Sequence, residues 1–162
     1  KKFNYMKPVL EALKARDGEK HCEMKLGLTR ALEPCDFMSE HVWWRGIVDL
    51  VITNGDMAWI VDYKTSKSAK YADKGQLELM ALATFKYFPK IKKINAGLLF
   101  VVSNNFIKHT YTDDMIPALW KKWLSNYSRM EIAHSNNVWN AHPSGLCKRH
   151  CVVLECIHNG SN

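Results

Sequence analysis

The chain has 162 residues and a mass of 18.7 kDa, 47% of them apolar and 24% charged, enough for one domain with a core of its own and no disulfide framework. Its 23 Lys and Arg exceed its 16 Asp and Glu, so the net charge is +7. That balance favours anionic partners, nucleic acid before membrane surface, against the plainer reading of a Lys-rich solvated surface. No apolar run approaches the ~20 residues of a membrane span.

The polar opening Lys1 to Lys7, followed by Pro8, carries no signal-peptide pattern, and the absence of an initiating Met implies residues upstream of Lys1. Residues 4–16 space Tyr5, Met6, Val9, Leu10 and Leu13 as one helix face, with Gly18 past its end. Residues 20–30 alternate as a strand that puts Cys22, Met24, Leu26 and Leu28 on one face and Glu23 on the other. Residues 31–40, with Pro34, read as a loop. Residues 41–52 and 58–64 are β-branched and aromatic and flank Asn54-Gly55-Asp56, a strong hairpin signal. Both strands are apolar on both faces, which puts the hairpin in the centre of its sheet. A polar, Lys-rich loop spans 66–74, and a helix runs over 75–88 to Pro89. Strands over 94–103 and 105–112 and an amphipathic helix over 113–133 follow, the helix opening on Asp113-Asp114. From Asn136 periodicity is lost. The order α-β-β-β-α-β-β-α implies an α/β fold, a mixed sheet with helices on its faces, over residues 1–135, with residues 136–162 as a Cys-rich tail packed on the same domain.

Asp49 and the run Asp62-Tyr63-Lys64 form the sharpest constellation. Asp62 and Lys64, two apart on one strand, share a face. A two-residue turn at Asn54-Gly55 sets Asp49 diagonal to Asp62, and one at Gly55-Asp56 sets them directly opposite; in both registers the carboxylates share a face. Two like charges in an apolar hairpin need a cation between them, and hard Mg²⁺ or Mn²⁺ suits carboxylate oxygens. Lys64 beside such an ion can act on a phosphate or a water. The alternative is a plain Asp–Lys ion pair on a strand face.

Gly46-Ile47-Val48-Asp49, then Asp62-Tyr63-Lys64-Thr65, then Gln76, with Glu23 upstream, resembles the RecB-type branch of the PD-(D/E)XK nucleases. The resemblance covers roughly residues 4–112 and implies a restriction-endonuclease-like αβββαβ core and a metal-dependent DNA exonuclease, cytoplasmic and phage-encoded. It implies that Asp49, Asp62 and the Tyr63 carbonyl bind Mg²⁺ or Mn²⁺, that Lys64 positions or activates the attacking water, that Gln76 touches the substrate or supports the site, and that Glu23 supports the metal shell. The family's helix Tyr is Met80 here. Its metal-binding His before the first acid has no counterpart except His21, which lies in the strand. A structure-specific endonuclease or junction resolvase shares the same site, and a non-catalytic DNA-binding module is the third reading.

Lys67, Lys70 and Lys74 directly follow the active strand and suit a phosphate-tracking rim, or a solvated loop. Tyr63, Tyr71, Trp43 and Trp44 are candidates for stacking on single-stranded bases, with a core or sheet-edge role favoured for the two tryptophans. Cys147, Cys151, Cys156 and His158 could close a zinc site, though not at standard zinc-finger spacing. The resemblance also raises an iron–sulfur cluster there, for which Cys22 and Cys35 are the earlier thiols.

Overall fold

The computed structural model describes residues 4–67 and 72–160. Its elements follow the expected order: α1 (Lys7–Ala15), β1 (Glu19–Thr29), β2 (Pro34–Cys35), β3 (Val42–Asn54), β4 (Met57–Lys64), α2 (Lys74–Tyr87), β5 (Lys93–Phe100), β6 (Asn105–Thr112), α3 (Ile116–Ser135) and α4 (Gly145–Arg149). Six strands form one mixed sheet in the order β2-β1-β3-β4-β5-β6. The apolar hairpin β3–β4 lies in its centre, where both faces can be covered, and β4 and β5 pair in parallel across the α2 crossover.

The two faces of the sheet carry different helices. On one, Met6, Leu50, Ile52, Val61 and Leu99 form a buried cluster, and Val9 and Leu13 of α1 pack against it. On the other lies α2, whose Leu77, Met80, Ala81, Leu82, Ala83, Thr84 and Phe85 are all buried. A helix buried around most of its circumference needs its polar groups answered, and the Thr84 hydroxyl donates to the Met80 carbonyl at 2.8 Å. The Tyr87 hydroxyl ties the far end of α2 to the sheet, accepting from the Gly27 N–H at 2.9 Å and facing the Cys35 carbonyl at 2.9 Å.

The expected loop at 31–40 contains the short edge strand β2, paired to β1 through Gly27↔Cys35 and Leu28↔Pro34. A two-residue strand beginning at Pro has too little periodicity to read from sequence, and Pro is tolerated at such an edge. Residues Lys1–Lys121 form one compact unit and Lys122–Asn162 a second. Within the second, the aperiodic tail contains the one-turn α4, capped by the Ser144 side chain, which accepts from the Leu146 N–H at 3.2 Å. The buried Asn159 amide donates to the carbonyls of Cys151 at 3.1 Å and Val153 at 2.9 Å, closing the tail on itself. No described helix is long and apolar enough to cross a membrane.

Candidate active site

The site grows out of the hairpin's register. β3 and β4 pair from Asn54↔Met57 to Leu50↔Val61, so the turn is Gly55-Asp56, the second of the two registers open from sequence. Gly55 has φ 61, a conformation glycine adopts without a Cβ penalty. One further step of this register sets Asp49 opposite Asp62. The backbone ladder ends there, and an Asp49 carboxylate oxygen, Oδ2, accepts the Tyr63 N–H at 2.7 Å instead. That charge-assisted bond fixes the Asp49 rotamer and holds its carboxylate beside Asp62.

Asp62 is 5% exposed. Its Oδ1 accepts from Gln76 Nε2 at 3.0 Å, and its Oδ2 lies 2.6 Å from the Lys64 ammonium. Lys64 Nζ in turn donates to Gln76 Oε1 at 2.7 Å, which closes a ring of three side chains. Gln76 is in the first turn of α2, whose start is set by the Asp73 side chain accepting from the Gly75 N–H at 2.8 Å. The helix therefore delivers one amide to both charged groups, donating to the carboxylate and accepting from the ammonium.

Asp62 Oδ2 is buried and makes no hydrogen bond of good geometry, although the Lys64 ammonium is in ion-pair contact. The two observations agree if the contact is electrostatic but poorly aligned. A buried carboxylate oxygen with that unused acceptor capacity, next to a second carboxylate, suits a hard divalent cation. On this donor set Mg²⁺ or Mn²⁺ fits Asp49 and Asp62.

Glu23 lies where the β1–β3 register sets it opposite Asp49, between the pairs Cys22↔Leu50 and Met24↔Val48. It is exposed and has φ 51, uncommon for a residue with a side chain. The two registers set Glu23, Asp49 and Asp62 level across three strands, and the bond from Gln76 of α2 marks the face of Asp62. Among the described residues, no three His, Cys, Asp or Glu side chains converge as a ready-made metal cage, in this row or in the tail. Cys147, Cys151, Cys156 and His158 thus share the second unit without closing a site, and none of the five cysteines is in a disulfide.

Tyr63 needs a correction as a base-stacking platform. Its ring packs against the Leu50, Val61 and Leu99 cluster on the face opposite Asp62, as strand alternation requires. Burial there, with the Asp49 carboxylate and then Cys22 nearby, raises the pKa of its hydroxyl. Trp43 and Trp44 are half-buried. The Trp44 ring covers Gly46 so closely that a Cβ there would come within 2.4 Å of it, which explains why the position before Asp49's turn of strand is glycine. Met80, in place of the family's Tyr, is buried core. His21 packs against Phe88 with ring centroids 5.4 Å apart and the planes tilted by 41°, and its Nε2 is buried without a hydrogen bond. Lys67 and Lys74 are exposed, whereas Lys70 and Tyr71 lie outside the described residues. Sequence reasoning passed over Phe37, whose ring has Lys25 Nζ 5.7 Å and the Arg45 guanidinium carbon 5.6 Å from its centroid.

The family model of the PD-(D/E)XK nuclease superfamily matches residues 5–156. The chain belongs to that superfamily. Its mixed sheet and flanking helices have the superfamily's restriction-endonuclease-like fold. No curated protein matches the sequence significantly. Among solved structures, the crystal structure of SSO0001 is similar, with a TM-score of 0.39 and 12% identity over 75% of this chain. The match spans 57% of that chain's length.

Proposed function

We propose that the chain is a metal-dependent DNA exonuclease of the RecB type. The observation that carries this reading is the closed ring of Asp62, Lys64 and Gln76 beside an Asp49 fixed on the Tyr63 N–H. A structural ion pair would need only Asp62 and Lys64; it would not need a second carboxylate aligned on the same row, nor a helix start aimed at both charges.

Asp49 and Asp62 would hold Mg²⁺ or Mn²⁺, with the Tyr63 carbonyl as a further ligand. When bound, the ion supplies charge neutralisation at the attacked phosphate and a more acidic water. Lys64 positions the water or the phosphate with its ammonium. Gln76 sets the direction of that ammonium through Oε1 and the orientation of Asp62 through Nε2. Glu23 supports the metal's waters from the neighbouring strand. Lys67 and Lys74 supply a positive rim at the start of α2, and Lys70 lies between them in sequence. Loss of a group that acts only on the transition state costs about 10²–10³ in rate, by analogy with single oxyanion donors.

The test is cleavage of end-labelled linear and covalently closed circular DNA, each with Mg²⁺, Mn²⁺ or EDTA. Metal-dependent release of mononucleotides from linear ends, with circles intact, is the expected result. Cleaved circles would replace this reading by an endonuclease, and binding without cleavage would replace it by a DNA-binding module.

A further inference from the structure

The face of the sheet opposite the Asp62 carboxylate holds a cavity that the candidate active site does not use. Its volume is about 280 Å³, and it lies where the C-terminal end of α1 meets strands β4, β5 and β6. Leu13, Trp59 and Phe106, which line it, pack on the same buried cluster as α1, and this fixes the face. Pairing sets Trp59, Asn95 and Thr110 level across the three strands, with Gly97 and Lys108 level one two-residue step along β5. The Phe106 ring lies so close over Gly97 that a Cβ there would have no room, so the ring itself becomes part of the cavity floor.

Two cations stand at this cavity. The Arg16 guanidinium carbon is 4.4 Å from the centroid of the Trp59 ring, and Lys108 Nζ is 4.9 Å from that of Phe106. Arg16 is the C-cap of α1, and its carbonyl accepts from Lys20 Nζ at 2.6 Å, so its backbone is held from both sides. Both side chains are exposed, and neither is ion-paired among the described residues. A cation over a ring keeps its N–H donors for another partner. Among the described residues no Asp or Glu lines the cavity. Thr110 Oγ1 donates to Asn95 Oδ1 at 3.0 Å, which orients the Asn95 amide and leaves its Nδ2 donors for a ligand.

These groups define the ligand's chemistry. Restrained cations without a carboxylate call for an anion, and phosphate oxygens accept from Lys and Arg with charge assistance. The aromatic rings and the Arg16 guanidinium plane offer a stacking surface to a flat ring. Asn95 Nδ2 can donate to an acceptor on that ring's edge. Strand spacing and rise put Trp59 and Lys108 about 12 Å apart along the sheet, so an elongated ligand reaches from one to the other. The volume is at the lower end of ligand cavities, about 300–1,000 Å³, which suits one monomer and not a strand.

We propose that this cavity binds a nucleoside monophosphate, its phosphate on Lys108 and its base between the Arg16–Trp59 pair and the Asn95 amide. The site goes beyond the nuclease reading and does not depend on it, since none of its residues belongs to the carboxylate site.

The test is calorimetric titration of the full chain in EDTA with deoxyadenosine monophosphate, deoxyadenosine, inorganic phosphate and a single-stranded oligonucleotide. The monophosphate should bind at one site per chain, more tightly than the nucleoside or phosphate alone. Lys108→Gln and Arg16→Gln should each weaken it about tenfold, and Lys108→Arg should restore it. Asn95→Ala should weaken the monophosphate and the nucleoside by the same factor. If Asn95→Ala does not fold, Asn95→Asp keeps the acceptor for Thr110, removes the donor and gives the same readout. Asp62→Asn should leave the affinity for the monophosphate unchanged. Binding lost in Asp62→Asn but intact in Lys108→Gln would put the nucleotide at the carboxylates and overturn the cavity site. Oligonucleotide affinity lowered in the Lys108 and Arg16 variants, with no binding of the monophosphate, would overturn it in favour of a strand-binding surface. Cleavage with Mn²⁺ is measured separately, and its absence would remove the nuclease reading while leaving this site to stand on its own titrations.

Discussion

Glu23→Gly should make the protein more stable and less active. With φ 51, Glu23 has a left-handed backbone that costs a residue with a Cβ about 1–2 kcal/mol. Glycine removes that cost but loses more backbone freedom on folding, about 0.5–1 kcal/mol. The difference is a gain of about 0.5–1 kcal/mol, or about 1–4 °C in melting temperature for a chain of this size. Removing a carboxylate beside Asp49 also relieves repulsion, so the comparison needs Glu23→Ala, which loses the same charge and keeps the same strained φ. Melting in EDTA, where no metal contributes, should place Gly above Ala by that margin. With Mn²⁺ both variants should cleave DNA more slowly than the parent, and to a similar extent. A glycine variant no more stable than the alanine variant would refute the strain argument. Full activity in both would remove Glu23 from the site.

Other perturbations report on separate parts of the molecule. Lys64→Ala should lose about 10²–10³ in rate while calorimetry shows Mn²⁺ binding retained; collapse of metal affinity with little change in rate would reverse the role given to Lys64. The Tyr111 hydroxyl, pushed up to about 12 by burial and then by the Glu78 carboxylate, should make the fold lose stability as pH rises from the unfolded value near 10 towards 12. Its folded pKa is raised, so the contribution is complete below pH 10, and Tyr111→Phe should flatten that alkaline loss in denaturant titrations. Cys151→Ser should loosen the second unit and lower its melting temperature yet spare cleavage of short DNA, and elemental analysis of the reduced protein decides between zinc, iron with sulfide, and neither. Loss of all cleavage in a stable Cys151→Ser protein would contradict the separation of tail and active site.

The legible parts of this fold were those with strong local periodicity. The β3–β4 hairpin, its central position and α2 follow from apolar runs and one Asn-Gly-Asp turn, whereas the left-handed φ of 51 at Glu23 interrupts the alternation that sequence parity assumes. The turn register was open by one residue from sequence. The structure closes it at Gly55-Asp56, the register that aligns Asp49 with Asp62. What sequence could not give is long-range. Strand β2 is held by long-range bonds, the Tyr87 hydroxyl at the far end of α2 bridging the Gly27 N–H and the Cys35 carbonyl where Cys35 pairs with β1. The ring of Asp62, Lys64 and Gln76 depends on where α2 begins, which a single Asp73 cap determines. The assignment of Tyr63 to base stacking erred by one strand face, because its ring answers to the core beneath β4 rather than to the site above it.

Metal-dependent turnover by Asp62→Asn tests the central claim most directly. The amide keeps the volume of the carboxylate and an oxygen for Gln76 Nε2, and it removes the charge that Mg²⁺ or Mn²⁺ and Lys64 both use. The parent protein should release nucleotides from labelled linear DNA with Mn²⁺ or Mg²⁺ and none in EDTA. The purified, folded variant should bind the same DNA and release none with either ion. Turnover by Asp62→Asn at the parental rate with Mn²⁺ would contradict the account.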